Sequence, residues 1–300
     1  MNRLIVLLLV LCLALSFSGC AILDYKQAMD HYEAGEYAEA LELYKSLGDF
    51  ADSKAMAEIC WQKADYKHAE ELFAAGDYRQ ALALYQGLAM YMDSPAKAIV
   101  CQYRIGLSCI TEGNFEEGIQ WLQPLGSYED CIEQIRLAKW NWMHQGVQQT
   151  APTCEINGGT VTMNAKPDGS FSVCYMATDS LLGISYMKSI LLTFNNESNL
   201  GAYEAVYDSS STGQVKEEAS GALDISQFCT GTKLPVSVFN QTIIDPDGNE
   251  TVSTTPSDSL MMAGVLPELT AVLAQSIPQL LEQTGVPVTP AELGFASLEQ

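Results

Sequence analysis

Cys20 is the residue whose surroundings most clearly suggest chemistry. The chain begins with the basic segment Met1-Asn2-Arg3, and an apolar stretch from Leu4 to Leu15 follows. Ser16 to Gly19 then supply the small residues that a signal peptidase requires. The apolar stretch is too short to span a membrane comfortably. This order of segments predicts an export signal over residues 1–19, which ends directly before Cys20.

The residues Phe17-Ser18-Gly19-Cys20 resemble the lipobox of bacterial lipoproteins. The resemblance implies a diacylated (palmitate-type) Cys20 and a protein that is lipid-anchored at the extracytoplasmic face of the cell membrane. The family usually has Leu where this chain has Phe17. The alternatives are an ordinary secretory signal cut near Gly19 and an uncleaved anchor helix.

The charge of the chain disfavours two classes of partner. Formal net charge is −22, with 11 basic against 20 acidic residues in positions 1–150 and 4 against 17 in positions 151–300, which gives −9 and −13. No basic patch is present to neutralise phosphates, so we expect no nucleic acid and no direct adhesion to anionic lipid. Membrane attachment would then depend on the N-terminal lipid.

The cysteines and histidines suggest packing more than ligand binding. Cys12 belongs to the export signal and Cys20 to the lipid site, so seven of the nine cysteines remain and cannot all pair internally. Cys60 and Cys101 share one position of an internal repeat, and Cys131 replaces a repeat serine, which favours packed residues. One disulfide is possible among Cys154, Cys174 and Cys229. The histidines are scattered without metal-ligand spacing, so we expect neither a metal nor another cofactor.

Residues 20–149 contain a motif that occurs three times, with a period of 41 residues and then 37. A glycine in each copy is expected to end a helix in the left-handed conformation. An aspartate later in each copy is expected to cap the next helix through backbone N–H bonds. Each helix pair has an apolar face that it cannot bury alone, so neighbouring pairs must stack. The three motifs are EAGEYAEAL (33–41), AAGDYRQAL (74–82) and EGNFEEGI (112–119); the glycines are Gly35, Gly76 and Gly113, and the aspartates are Asp52, Asp93 and Asp130.

This pattern resembles the tetratricopeptide repeat (TPR) family over about 130 residues, although the units exceed the usual ~34 residues. A closer likeness is to variant repeats with a Gly-Asp-Tyr turn and a Tyr-x-Asp-Ser step, which occur in surface proteins and lipoproteins of Gram-positive anaerobes. Both features are present in residues 75–78 and 91–94. The expected helices cover residues 23–34, 37–47, 52–74, 78–88, 93–111, 115–123 and 128–146.

In TPR-like arrays the first helix of each pair lines a groove that binds peptides or partner proteins. Carried onto this chain, those positions form an aromatic ladder, which the resemblance implies as the partner-binding site. The alternative is that these side chains only pack between hairpins. The lysine and asparagine clamp for a peptide carboxylate has no counterpart here, which disfavours that ligand class. The ladder consists of Tyr25, Tyr66, Tyr103, Tyr32 and Phe73.

Residues 150–300 predict a different domain, because period-two alternation and turn residues replace the helical pattern. Alternation around the turn Lys166–Gly169 indicates a β-hairpin, and four further strand candidates and a short strand follow. A long apolar helix is expected over 257–284, kinked at Pro267 and Pro278. Thr289 and Glu292 have the spacing of a capping box. The predicted fold class is therefore α plus α+β: a TPR-like hairpin array, then an antiparallel sheet of about six strands with a long packed helix.

No catalytic motif is recognisable, so we expect no enzyme. Residues 245–249 have calcium-like oxygen spacing, but Glu250 and Pro256 occupy the glycine and glutamate positions of an EF-hand, which favours a plain turn. The leading hypothesis is an interaction module for an unidentified protein or peptide at the cell envelope. A carrier with an apolar ligand between the sheet and the long helix is the alternative, and an envelope enzyme is a third. The helix residues facing that ligand would be Leu266, Leu269 and Leu273.

Overall fold

The computed structural model describes residues 20–209, 215–255, 259 and 261–299. The chain divides into two compact units, one ending at Cys131 and the other spanning Ile132–Gln300. The first unit is helical, and the second combines a sheet with helices. The expected mixture of an α part and an α+β part is thus confirmed. The predicted export signal lies outside the described residues.

Six α-helices lie in the described part of the first unit, each within a few residues of its expected bounds. They are α1 (residues 20–33), α2 (Tyr37–Leu47), α3 (Ser53–Ala75), α4 (Tyr78–Gly87), α5 (Ser94–Thr111) and α6 (Phe115–Leu122). The turns after α1, α3 and α5 each contain a glycine with φ of +77°, +83° and +83° at Gly35, Gly76 and Gly113. The predicted left-handed glycines are confirmed, and they let each second helix fold back on the first.

Small residues let paired helices approach closely in the first unit. Ala28 and Ala40 are fully buried in the first hairpin, as Ala69 is in the second. In the third pair, a Cβ on Gly118 would lie 2.6 Å from Ile110 Cγ1. The backbone of α6 at Gly118 therefore contacts the side chain of Ile110 on α5, at a distance that only glycine permits.

The second unit begins within α7 (Cys131–Thr150), a helix that we expected to belong to the repeats. Trp140, Met143 and Val147 of α7 are buried in the core of the sheet. The observed division therefore falls near residue 131 and not after residue 149, because α7 uses its apolar face on the sheet.

Eight strands in sequential order form one antiparallel sheet in the described part of the second unit. The predicted hairpin and later strands are confirmed, whereas β1 was not predicted from the sequence. The strands are β1 (Thr153–Ile156), β2 (Gly159–Ala165), β3 (Phe171–Leu181), β4 (Ile184–Phe194), β5 (Leu200–Asp208), β6 (Val215–Asp224), β7 (Val238–Ile244) and β8 (Glu250–Ser253).

One face of the sheet carries the core. Paired residues of adjacent strands share a face, so the row Val161, Tyr175, Ile190, Ala205, Ala219 and Phe239 lies on a single side, and all six are buried. Helix α8 (Leu266–Gln283) packs in the same core. It follows a π-helical segment, Met261–Val265, so the long helix starts later than expected. Pro267 lies in its first turn and Pro278 inside it.

Candidate functional site

The three tyrosines that lead the ladder each make the same hydrogen bond. The hydroxyls of Tyr25, Tyr66 and Tyr103 donate to Asp52 Oδ1, Asp93 Oδ1 and Asp130 Oδ1, each over 2.5 Å and across 27 residues. These bonds hold the connection after each second helix against the first helix of the same pair. A neutral phenol bonded to a carboxylate resists ionisation, and this contact raises the pKa of Tyr103 to about 12.

These bonds correct one prediction about the aspartates. The side chains of Asp52 and Asp93 make no hydrogen bond that caps the following helix. Their carboxylates accept from phenol groups instead, so the N-cap prediction for them was wrong. A charged acceptor that reaches a non-local donor competes with local capping.

The tyrosine rings also pack edge to face within their own repeats. The ring of Tyr66 lies 6.0 Å from that of Tyr85 and 5.8 Å from that of Tyr91, centroid to centroid. Equivalent contacts join Tyr25 to Tyr44 and Phe50, and Tyr103 to Tyr128. Each leading tyrosine therefore has a packing function, and each is still only half-buried.

The two remaining ladder residues lie beside the glycine turns. Tyr32 packs on Tyr37 at 5.6 Å, and Phe73 packs on Tyr78 at 5.3 Å. A lysine from the next first helix covers each pair: Lys63 Nζ lies 4.8 Å from the Tyr32 centroid, and Lys97 Nζ lies 5.0 Å from that of Phe73. Tyr32 and Phe73 are half-buried, so part of each ring remains accessible to solvent beside a lysine.

One position of the first helices, next to the ladder, differs chemically between repeats. Glu70, on α3, accepts a hydrogen bond from the buried Tyr85 hydroxyl and pairs with Lys97 Nζ at 3.0 Å. Burial, then the bond to Glu70, raises the pKa of Tyr85. The equivalent residue of the first repeat is Met29, and the buried hydroxyl of Tyr44 has no hydrogen-bond partner within the described structure. The repeats thus share the Tyr–Asp bond, but the buried hydroxyls of Tyr44 and Tyr85 have different surroundings.

Two clefts lie at equivalent places, where the glycine turn of one hairpin meets the first helix of the next. The first has a volume of about 350 Å³ and is lined by residues that include Tyr37, Lys67, His68 and Glu71. The second has a volume of about 200 Å³, and Tyr78, Arg79, Ser108 and Glu112 line it among others. We did not predict these clefts from the sequence. The repeat alignment could have located them, because both include the Gly-x-Tyr turn.

Arg79 closes one side of the second cleft. Its Nη2 donates to Glu117 Oε1 over 2.5 Å, and its guanidinium lies 5.5 Å from the ring centroid of Trp121. The neighbouring Cys109 is buried, and burial raises the pKa of its thiol. The first cleft has Ala38 at the position of Arg79, so the two clefts present different charges on the same backbone arrangement.

The proposed lipid-attachment residue, Cys20, is exposed at the start of α1. All eight cysteines of the described residues are free thiols. Cys154 pairs in register with Val161, which pairs with Tyr175, whereas Cys174 is the residue immediately before Tyr175 in that strand. Cys154 and Cys174 therefore point to opposite faces of the sheet and are not placed to form a disulfide.

The site required by the carrier hypothesis is filled by protein. Leu269 and Leu273 have no exposed surface, Leu266 is 4% exposed, and all three belong to the continuous core under the sheet. A pocket of about 420 Å³ does open elsewhere in the second unit, between α7, the β4–β5 loop and residues 291–294. Its lining is mostly polar, and two of its three charged residues, Arg136 and Glu292, are paired with Glu133 and Lys139.

In the turn at residues 245–249, both carboxylate oxygens of Asp245 accept hydrogen bonds from within the turn. Asp245 Oδ1 accepts backbone N–H bonds from Asp247 and Asn249 over 2.9 and 2.8 Å, and Asp245 Oδ2 accepts from Asn249 Nδ2. Within the described ranges, no group of three His, Cys, Asp or Glu side chains is placed to hold a metal ion.

None of the described helices is both long and apolar enough to cross a membrane. The chain matches no protein-family model, and it has no match among curated proteins or solved structures.

Proposed function

We propose that this protein is a bacterial cell-envelope lipoprotein, anchored through acylated Cys20, whose TPR-like hairpins bind another protein or a peptide. One observation carries the proposal: the Tyr–Asp bond recurs in all three hairpins across 27 residues, while the clefts between them carry different side chains. A constant scaffold with variable surface residues is the usual arrangement of repeat proteins that bind partners.

The half-buried ladder supports a peptide or protein ligand more than a small molecule. Its aromatic edges at Tyr32 and Phe73 adjoin Lys63 and Lys97, so apolar and charged groups alternate along the repeats. Exposed aromatic side chains are enriched at protein interfaces. The carrier alternative has no such support, because Leu269 and Leu273 are packed in the core.

Affinity capture tests the interaction. The acyl-free mature chain would be used as bait in an extract of its own cells, and any enriched protein would be purified and titrated calorimetrically. We expect His68→Ala with Glu71→Ala, in the first cleft, to weaken binding at least fivefold without lowering the melting temperature. Lys26→Ala, on the exposed surface of α1, is the matched control. Equal affinity of the cleft variant and the control for every enriched protein would contradict the proposed cleft site.

The anchor is tested separately. Mass spectrometry of the mature N-terminal peptide from native membranes should show that the peptide begins with Cys20 and that Cys20 carries two acyl chains. An unmodified thiol there, or a peptide that still contains residues 1–19, would contradict the lipoprotein assignment but not the binding role of the hairpins.

A further inference from the structure

The three connections that follow the second helices share one backbone conformation. In each, an amide bonds back three residues: Phe50 N to Leu47 O, Tyr91 N to Leu88 O and Tyr128 N to Leu125 O, over 3.1, 3.0 and 3.1 Å. Each connection also has two residues with positive φ. The first set is Gly48, Ala89 and Gly126 (56°, 50°, 58°), and the second is Ala51, Met92 and Glu129 (49°, 48°, 46°).

The side chains of the central connection differ from those of its neighbours. Met90 is 84% exposed and Met92 is 68% exposed. At the position of Met90 the flanking connections have Asp49 and Ser127, and at the position of Met92 they have Ala51 and Glu129. Because the backbone is the same in all three, the fold does not require methionine at either place.

These methionines lie on the edge of the helical unit from which α1 starts. The glycine turns form the opposite edge, because every second helix runs back from its turn to its connection. The bond from Tyr25 to Asp52 places the first connection beside the start of α1. Cys20 precedes Tyr25 by five residues, or about 7.5 Å of helix. Ile22 and Leu23, in the same first turn, are 59% and 69% exposed.

We propose that this edge rests on the surface of the lipid bilayer, with the side chains of Met90 and Met92 inserted among the lipid headgroups. The inference rests on the proposed acylation of Cys20, which would hold the edge at the membrane. Methionine suits the role because its long unbranched side chain adapts to a disordered surface. Transfer of its apolar area out of water favours insertion.

The charge of the unit determines which lipid is favoured. Residues 20–131 contain 8 basic and 19 acidic residues, a net charge of −11. An anionic surface would repel this unit, so the contact must be apolar, and zwitterionic lipid is the better surface. The acidic residues at the flanking positions, Asp49 and Glu129, would limit contact to the central connection.

Methionine oxidation tests the proposal on the natural chain. The acylated protein, purified from membranes, would be reconstituted in phosphatidylcholine vesicles and compared with the unanchored chain from residue 21, both exposed to dilute hydrogen peroxide. Peptide mass spectrometry would follow sulfoxide formation at each methionine. We expect Met90 and Met92 to oxidise at least threefold more slowly on vesicles. Met176, 53% exposed on the sheet, serves as the control for access of the oxidant.

A variant built from the third connection, Met90→Ser with Met92→Glu, sharpens the test. It should keep its melting temperature, because neither side chain is buried. Amide exchange over residues 88–93 should slow on vesicles for the natural chain and not for the variant.

Several outcomes would overturn the proposal. One is equal oxidation of Met90 and Met92 with and without vesicles when the same sample shows an acylated Cys20. Another is protection only when a partner protein is added, which would make the methionines a protein-docking site. A sample without acyl chains would instead contradict the proposed anchor, so the two failures are distinguishable.

Discussion

The two units bury their apolar residues in different ways. In the helical unit, buried residues form separate small clusters, one around α1–α3 and one around α3–α5. In the sheet unit, residues of β2 to β7, α7 and α8 form one continuous core. The first arrangement depends on neighbouring repeats only, whereas the second requires the whole sheet at once. A local change should therefore have local effects in the repeats and general effects in the sheet unit.

The two units also differ in where their polar side chains make hydrogen bonds. In the repeats, the periodic Tyr–Asp bonds lie near the surface, and a buried hydroxyl is bonded to a carboxylate at Tyr85 and Glu70. In the sheet unit, polar groups are drawn into the core where the long helix begins. Buried Lys188 pairs with Glu268, and buried Glu217 accepts from Ser259 Oγ and Gln241 Nε2 over 2.9 and 2.8 Å. Such buried bonds stabilise one arrangement of strands and helix, because an unpaired partner would be costly.

The largest effect is expected from Leu273→Ala in α8. Leu273 has no exposed surface, so the substitution should lower the free energy of unfolding by about 2–5 kcal/mol. Hydrogen exchange should quicken in β2 to β7 together, as well as in α8. Faster exchange confined to α8 would show that the sheet unit is less cooperative than its single core implies.

Gly118→Ala should have the next largest effect, confined to α5 and α6. The new Cβ would lie 2.6 Å from Ile110 Cγ1 and 2.9 Å from the Gly106 carbonyl oxygen. Overpacking of this kind costs about 1–3 kcal/mol. Exchange in α1 and α2 should remain unchanged.

Gly87→Ala in α4 is the matched control for that substitution. A Cβ at Gly87 would meet no atom within 4 Å, so the higher helix propensity of alanine should stabilise the chain by up to about 1 kcal/mol. A loss of stability at Gly87, or similar exchange effects throughout α1 to α6, would contradict nearest-neighbour packing.

Tyr103→Phe removes one Tyr–Asp bond and should cost about 1 kcal/mol at neutral pH. The folded state raises the pKa of Tyr103 from 10.0 to about 12, first through its bond to Asp130. A raised pKa stabilises the folded state below pH 10.0, and this contribution disappears as the pH rises toward 12. The natural chain should therefore lose its advantage over the variant across that interval.

Urea unfolding at a series of alkaline pH values measures this difference. Tyr128→Phe is the control, because the hydroxyl of Tyr128 has no hydrogen bond within the described structure. A difference between Tyr103→Phe and the natural chain that does not change between pH 9 and pH 12 would exclude the phenol–carboxylate bond as its source.

The smallest effect is expected from an exchange of alanine and glycine between connections. Both residues have positive φ, +50° at Ala89 and +58° at Gly126. Ala89→Gly should therefore raise the free energy of unfolding, and Gly126→Ala should lower it, each by about 0.5–1 kcal/mol. Thermal melting of both variants checks the signs. Shifts in the same direction would mean that the connections do not have equivalent backbones.

Local sequence signals predicted the elements with short-range causes. The glycine turns followed from left-handed geometry, and Thr289 and Glu292 form the expected reciprocal bonds, Thr289 N to Glu292 Oε2 at 2.9 Å and Glu292 N to Thr289 Oγ1 at 3.4 Å. That capping box begins a short 3₁₀ turn, Ala291–Leu293. The assignment of α7 to the repeats was wrong. The sequence of α7 continues the repeat pattern, because Trp140 follows Asp130 by ten residues, as Tyr103 follows Asp93, and this similarity led to the error.

By itself, the sequence determined the order of hairpins and strands, because turn residues, small residues and apolar periodicity act over a few residues. Only the tertiary structure decided which groups the polar side chains meet. In the folded chain, the carboxylates of Asp52 and Asp93 accept hydrogen bonds from phenol groups, and α7 packs on the sheet through Trp140. Met90 lies at the edge of the helical unit where α1 begins. Those outcomes depend on partners distant in the chain, and a local pattern does not encode which distant donor or apolar surface will be nearest.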